Sequence, residues 1–252
     1  MINKDLVSII ITYYRKQKYL IRTLNSIKKQ NYKKYEIIFV FDDYNKKELT
    51  FIKKLLKKFK RKKIINNNKN LGVSKSRNIA IKYCNGKYIA FIDADDIWLK
   101  NKLKYQISFM DKNSIMFSFS SYGVIDENNK ILRYRKVNSN PSYNSLIKNN
   151  IIGLSTVVLH KKLKNKIKFK NLKTQEDFAL WLKLLRLNIT LYHIKKTLSY
   201  WRKTNESLSS NKFQKLRDAF KLFYKYENKN LLNAIYCVLI LITNKILKTY
   251  KI

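Results

Sequence analysis

Three carboxylates stand within four residues at Asp93-Ala94-Asp95-Asp96, directly after the apolar run Tyr88 to Ile92. That run is short, β-branched and aromatic, and Gly86 bounds it on the other side, so it reads as a buried strand. If the backbone stays extended past Ile92, the period of two sends Asp93 and Asp95 to one side and Asp96 to the other. Two like charges at one spot are costly unless a cation neutralises them. Hard divalent ions, Mg²⁺ or Mn²⁺, take carboxylate oxygens and keep positions for water and phosphate. The same residues also suit a strand-to-helix loop in which Asp95 or Asp96 caps a helix beginning at Trp98.

A second acid has two readings as well. Thr174-Gln-Glu-Asp177 precedes a helical pattern in which Asp177, Leu180, Trp181 and Leu184 share one face. Thr174 as N-cap with Asp177 three residues on makes a near capping box, and an acid in the first turn suits the helix dipole. The alternative is a partly buried general base.

The elements that must position these acids follow a regular order. Val7 to Ile11 is a buried strand ended by Thr12-Tyr13-Tyr14, and Leu20, Leu24 and Ile27 then recur at helical spacing. Tyr35 to Phe41 is a strand ended by Asp42 and Asp43. A Lys-rich helix carries Leu49, Ile52, Leu56 and Phe59 inward, Lys63 to Ile65 is a short strand, and Asn66 to Gly72 is a polar loop. Ser74 starts a helix through Ile79, Ala80 and Tyr83. Strand and helix alternating at this spacing predict a mainly parallel sheet covered on both faces. In such sheets ligands collect beyond the carboxyl ends of the strands, where Thr12, Tyr14, Asp42, Asp93 and Asp95 fall. A metal on Asp95 reverses the local sign for a nucleotide diphosphate, and Arg77 near a helix start adds a second positive contact. Neither G-x-G-x-x-G nor G-x-x-x-x-G-K-[ST] occurs, which demotes dinucleotide redox chemistry and P-loop hydrolysis.

The second half is less regular. Ile115 to Tyr122 and Ile151 to His160 read as strands, with 122–130 as a turn between strands. Residues from Lys212 onward read as helical. The apolar run Leu231 to Ile242 falls short of the roughly twenty residues that span a bilayer. It is either a core helix or an in-plane anchor, with Lys245, Lys248 and Lys251 able to face lipid headgroups. The expected division is 1–210 as the catalytic domain and 211–252 as a helical, membrane-associating extension.

At 252 residues the chain can bury a full core. Its net charge is +39, from 55 Lys and Arg against 16 acids, which suits an anionic partner, nucleic acid or an acidic membrane face. Much of that Lys comes with abundant Asn and Ile, which points to proteome bias, and basic runs such as 53–63 carry apolar residues at helical spacing, as a solvated helix face does. Cys84 and Cys237 are far apart, which fits a reducing compartment, and two histidines are too few for a zinc site. The N-terminus lacks the pattern of a secretory signal, so a cytoplasmic location is expected.

Several stretches together resemble the inverting family 2 glycosyltransferases of GT-A fold. They are Val7 to Tyr14, Glu36 to Asp43, Asn70-Leu-Gly-Val-Ser-Lys-Ser-Arg-Asn78, Asp93 to Asp96, Glu176-Asp177 with Leu180 to Lys183, and Tyr200 to Ser209. The likeness covers about residues 5–210. It implies a GT-A, Rossmann-like α/β sheet, mainly parallel but mixed, flanked by helices, with a C-terminal helical extension. It implies that Thr12, Tyr14 and Asp42 hold the uracil and ribose of a nucleotide sugar, that Asp93 lies on ribose or metal-bound water, and that Arg77 approaches the diphosphate. Asp95 would bind Mg²⁺ or Mn²⁺, and Asp177 would be the catalytic base. Thr12 stands where proline is usual, Phe41 where a first aspartate is common, and Thr204 where a histidine is often found. The Q-x-x-R-W segment of processive polymerases is absent.

The resulting expectation is a non-processive enzyme that moves a sugar from a UDP-sugar to a glycan or lipid-linked acceptor at the membrane's inner face, with no nucleic acid as partner. The competing readings are a metal-dependent nucleotidyltransferase, which needs no acceptor-side base, and a basic nucleic-acid or lipid-binding module without catalysis.

Overall fold

The strand β1 (Asn3–Tyr13) alternates its side chains between two cores, and this organises the molecule. Val7, Ile9 and Ile11 belong to one buried cluster and Ile10 to the other, so both faces of the strand are covered. In this computed structural model, which describes residues 3–135, 137, 139–204 and 210–250 and side chains within 5–244, β1 lies between β2 (Tyr35–Phe41) and β4 (Gly86–Phe91), parallel to both. Parallel β3 (Lys62–Asn66) extends the sheet beyond β2.

The helices fall on the faces their apolar stripes require. α1 (Gln17–Lys28) and α2 (Leu49–Leu56) pack Leu20, Leu24, Ile27, Leu49, Ile52 and Leu56 into the Val7 cluster, as does Leu103 of α4 (Lys102–Lys112). α3 (Val73–Lys82) and α6 (Glu176–Arg186) cover the other face through Ala80, Ile81, Leu180, Trp181 and Leu184. Each fully buried Leu or Ile contributes on the order of 2 kcal/mol of transfer free energy.

Beyond β4 the sheet becomes mixed. β8 (Val158–His160) is antiparallel to β4 and to β6 (Phe117–Ile125), β6 pairs in parallel with β9 (Tyr192–Arg202), and β5 (Ile97–Trp98) closes the far edge against β9. β7 (Ile131–Arg135) forms a hairpin with β6. Parallel in its first half and mixed beyond, with helices on both faces, the architecture is the expected α/β sheet.

Four local expectations are corrected. The residues after Asp96 form β5, and α4 starts only after Asn101, so no helix begins at Trp98 for Asp95 or Asp96 to cap. The stretch 151–160 is strand only at its end. A 3₁₀ turn at Leu154–Thr156 precedes β8 because Ser155 is turned inward toward the Asp93 segment. β6 runs on to Ile125, through what reads in the sequence as turn, because β9 pairs along it. Thr174 is not the N-cap of α6. Its amide and hydroxyl both donate to Asp218 Oδ2, at 2.8 and 3.0 Å, and Gln175 occupies the cap position with φ 65° and no capping hydrogen bond.

At the C-terminal end, α7 (Lys212–Lys221), a π-helical turn (Leu222–Tyr226) and α8 (Leu231–Tyr250) follow one another. Ala219, Leu222, Phe223 and Ala234 are buried, and the last three join the α6-side core. Among the described residues no helix is long and apolar enough to cross a membrane. The expected headgroup contacts of Lys245, Lys248 and Lys251, and residues 205–209 of the Tyr200 to Ser209 stretch, lie outside what the structure describes.

Candidate active site

The strand ends β1, β2 and β4 deliver their polar residues to one rim, as parallel strands sharing a register must. On β1, Thr12 is half-buried. Tyr14 is exposed, with the Arg15 guanidinium 4.9 Å from its ring centre. At the end of β2, buried Asp42 accepts hydrogen bonds from Asn67 Nδ2 at 2.8 Å and from the amides of Leu71 at 2.8 Å and Gly72 at 2.9 Å. Gly72 has φ +81°, a conformation that favours glycine, and its carbonyl accepts the first hydrogen bond of α3. Asp42 therefore shapes the 67–72 loop and, through it, the start of the helix that carries Arg77. Asp43 pairs with Arg15 Nε at 3.0 Å.

The Asp93 to Asp96 turn divides its carboxylates as the alternation predicts, although through a turn rather than a continued strand. The Asp96 amide donates to Asp93 O at 3.1 Å, and the Asp96 side chain points inward to Ser155 Oγ at 2.5 Å and the Arg202 amide at 2.9 Å. Burial, with Asp95 and Asp93 adding, pushes the Asp96 carboxyl well up, and its bonds to Ser155 and the Arg202 amide tie this segment to the Leu154–Thr156 turn and to β9. Arg202 also donates from Nε to Asp95 O at 2.8 Å and from Nη1 to Asp126 O at 2.7 Å, and Thr23 Oγ1 donates to Ala94 O and Asp96 O. These contacts fix the turn from below and leave Asp93 and Asp95 on the open side.

Two cations face them. Arg77, almost wholly buried, places Nη2 2.8 Å from Asp93 Oδ1 and Nη1 against Glu176 Oε1. Burial works against its charge, but Asp93 and Glu176 outweigh that and hold the guanidinium above its ordinary value. Lys16 Nζ lies 3.1 Å from Asp95 Oδ2 and 3.4 Å from Thr204 Oγ1. Burial raises the Asp95 carboxyl, Lys16 opposes that, and Asp93 adds to it.

Asp177, in the first turn of α6, feels the charge of this cluster. Its Oδ1 accepts from the Phe178 amide at 2.6 Å, and burial, reinforced by Glu176 and opposed by Arg77, pushes its carboxyl up to about 7. A carboxyl near neutrality suits a general base. The helix start holding it is conformationally costly, since Gln175 just before Glu176 is left-handed. One guanidinium thus bridges the β4 rim and the start of α6, and it brings Asp93 and Asp177 within electrostatic reach of one another.

The donor chemistry fits a divalent ion. Asp95 and Asp93 present hard oxygens, burial raises the proton affinity of Asp95, and its neutralising partner is a flexible lysine that another cation can displace. Among the described residues no group of three or more His, Cys, Asp or Glu could hold a metal by itself. A one- or two-carboxylate grip, completed by water and phosphate oxygens, is the Mg²⁺ and Mn²⁺ pattern.

All the expected site residues reach the rim or the seam across it, but Arg77 meets Asp93 and Glu176 rather than open space, and Asp42 meets a loop. Lys16, Glu176, Ser155 and Arg202 are roles that residue types did not reveal. For Lys16 no signal could have, since it is one of 55 basic residues.

Comparison with known proteins places the chain in a family. The model of "Glycosyl transferase family 2" matches residues 8–170, which contain Asp42, Arg77, Asp93 and Asp95 and end before Asp177. WfgD of Escherichia coli, named a UDP-Glc:alpha-D-GlcNAc-diphosphoundecaprenol beta-1,3-glucosyltransferase, is 38% identical over 216 residues, covering 84% of this chain and 83% of its own. TuaG of Bacillus subtilis, named for teichuronic acid biosynthesis, is 30% identical over 235 residues, 93% of each chain. In fold, S. aureus TarS 1-349, solved in complex with UDP-GlcNAc, superposes with a TM-score of 0.71 at 23% identity over 93% of this chain and 70% of that one. With the family model spanning well over half of its length and relatives aligned along nearly all of it, the chain belongs to glycosyl transferase family 2 and is a glycosyltransferase.

Proposed function

We propose that the enzyme transfers a sugar from a UDP-sugar to a hydroxyl of a lipid-linked glycan at the inner face of the membrane, with inversion, in the synthesis of a cell-surface polysaccharide. The observation that carries the reading is Asp177, a half-buried carboxyl at the start of α6, pushed up to about 7 and next to Glu176, which shares Arg77 with Asp93. The names of WfgD and TuaG support the lipid-linked, polysaccharide-building part of it.

In this reading Thr12 and Tyr14 hold the base and ribose, and Asp42 keeps the 67–72 loop shaped around them. Asp93 takes the ribose or a metal-bound water. Asp177 accepts the proton of the acceptor hydroxyl as that oxygen attacks the anomeric carbon. The bond to the diphosphate breaks on the opposite side with its electron pair leaving on phosphate oxygen, so one displacement inverts the centre. A divalent ion on Asp95, when bound, supplies neutralisation of the charge that develops on the departing diphosphate. Arg77 pairs with Asp93 and Glu176, and its positive charge opposes the rise that burial and Glu176 impose on the Asp177 carboxyl.

The test is thermal shift against a panel of nucleotide sugars with Mn²⁺ or Mg²⁺. UDP-sugars should stabilise the wild type only with metal, and Asp95→Ala should lose that response. Stabilisation by nucleoside triphosphates alone, with nucleotidyl transfer surviving Asp177→Asn, would instead establish a nucleotidyltransferase.

A further inference from the structure

α8 is apolar on two opposite faces, and among the described residues only one of them has a partner. Ala234, Cys237, Val238 and Leu241 recur at helical spacing and pack against the α6-side core. Leu231, Leu232, Ile235, Tyr236 and Leu239 form the other stripe and are 43% to 77% exposed. A surface helix of a globular protein ordinarily carries polar residues there. Beside it lies a groove of about 250 Å³, lined by Ile147, Cys237 and Ile240 together with Lys148 and Lys229.

The charge around the stripe selects among occupants. Between residues 211 and 244 there are six basic residues before α8, Lys212, Lys215, Arg217, Lys221, Lys225 and Lys229, and two acids, Asp218 and Glu227. Both acids are buried and turned to internal partners: Asp218 to Thr174, and Glu227 to Tyr143 Oη at 2.7 Å and Arg186 at 3.2 Å. No carboxylate of this segment opposes an approaching anionic surface. A second copy is disfavoured, because each chain carries +39.

We infer that the exposed stripe of α8 is a docking surface for an anionic lipid bilayer, lying in the plane of the interface with its apolar side chains among the acyl chains and the groove's Lys148 and Lys229 at the headgroups. No described helix is long and apolar enough to cross, which suits an in-plane position. The inference rests on the membrane-borne acceptor proposed above for its purpose, but its test is independent of catalysis.

The experiment is co-sedimentation of the full chain with vesicles of equal parts phosphatidylcholine and phosphatidylglycerol, or of phosphatidylcholine alone. The wild type should pellet with the first and stay in solution with the second. Leu232→Glu with Leu239→Glu should lower partitioning by about tenfold or more. Lys54→Ala with Lys57→Ala on the α2 side makes the same change in net charge and should leave most of the binding intact. Leu232→Ser with Leu239→Ser should act in the same direction if the glutamate variant folds poorly by circular dichroism. Equal binding by wild type and stripe variants, equal loss in the α2-side control, or a wild-type dimer dispersed by Leu232→Glu would each overturn the inference. UDP-sugar stabilisation retained by the stripe variants separates either result from the fate of the proposed reaction.

Discussion

At the ends of β1 and β2 the acids are satisfied close to home. Asp42 takes three hydrogen bonds from the 67–72 loop and Asp43 takes Arg15. Across the seam between β4 and α6 the arrangement is different. Asp93, Asp95, Glu176 and Asp177 come from segments some eighty residues apart and are faced by Arg77 and Lys16, so each carboxylate there feels its neighbours' charge. The first region is held in pre-set geometry and the second stores electrostatic imbalance. Catalytic groups are tuned where imbalance is stored, because burial and like charge are what move a carboxyl toward neutrality.

The sharpest way to break the comparison is Asp177→Asn. Loss of a general base should lower transfer by about 10³-fold while metal-dependent UDP-sugar stabilisation stays. The same variant should be the more stable protein at alkaline pH. A carboxyl whose folded value is raised costs stability as pH climbs from the ordinary carboxylate range through about 7, and asparagine escapes that cost. The melting temperature of the variant should therefore exceed that of the wild type by more at pH 8 than at pH 5. An equal difference at both would show that the charge of Asp177 is not the burdened one.

Arg77→Met is the next largest. It leaves Glu176 buried beside Asp93 and Asp177 without its cation, and breaking one partner of a buried pair costs about 3–5 kcal/mol, or on the order of 10 °C in melting temperature. Asp43→Asn, on the satisfied side, touches a pair whose arginine is largely exposed and should lower the melting temperature far less than Arg77→Met does. Similar losses at the two sites, by thermal denaturation, would erase the distinction between the regions.

How far the sequence carried this reading differs between the same two regions. Strands of the first half are legible because their covering helices announce themselves: Leu20, Leu24 and Ile27 or Leu49, Ile52 and Leu56 recur at one period and all are buried. In the Asp93 to Asp96 segment Asp96 does part from its neighbours, but by a turn and not by the strand alternation that suggested it. The second half resists because tertiary contacts override the local pattern. Ser155 breaks its strand to reach Asp96, and Thr174 abandons its helix for Asp218, forty-four residues on. The bridging role of Arg77 was hidden for a related reason, since its two partners lie 16 and 99 residues away and no spacing rule joins them.

A milder effect follows for pH. The base must be ionised before it can accept a proton, so kcat/KM should fall about tenfold per unit of pH below 7 and level off above it. Measured with a fixed UDP-sugar and saturating metal, a profile flat from pH 5 to 8 would remove Asp177 from that role.

The smallest expected effect is the most informative about the seam, because it concerns the one cation there on a flexible stem. Lys16 and Asp95 are both mostly buried, at 19% and 13% side-chain exposure, so their pairing is screened less than a surface pair. Any divalent ion reaching Asp95 must share it with, or displace, an ammonium group already 3.1 Å away. Lys16→Met removes the competitor but keeps much of the side chain's length. Donor-free Mn²⁺ affinity, followed by the loss of the free-ion electron paramagnetic resonance signal, should therefore rise by about fivefold, equivalent to roughly 1 kcal/mol. The contact from Lys16 to Thr204 disappears with it. Unchanged or weaker Mn²⁺ binding would mean that Lys16 helps to assemble the metal site instead of holding its place, and the imbalance at the seam would then belong to Arg77 and α6 alone.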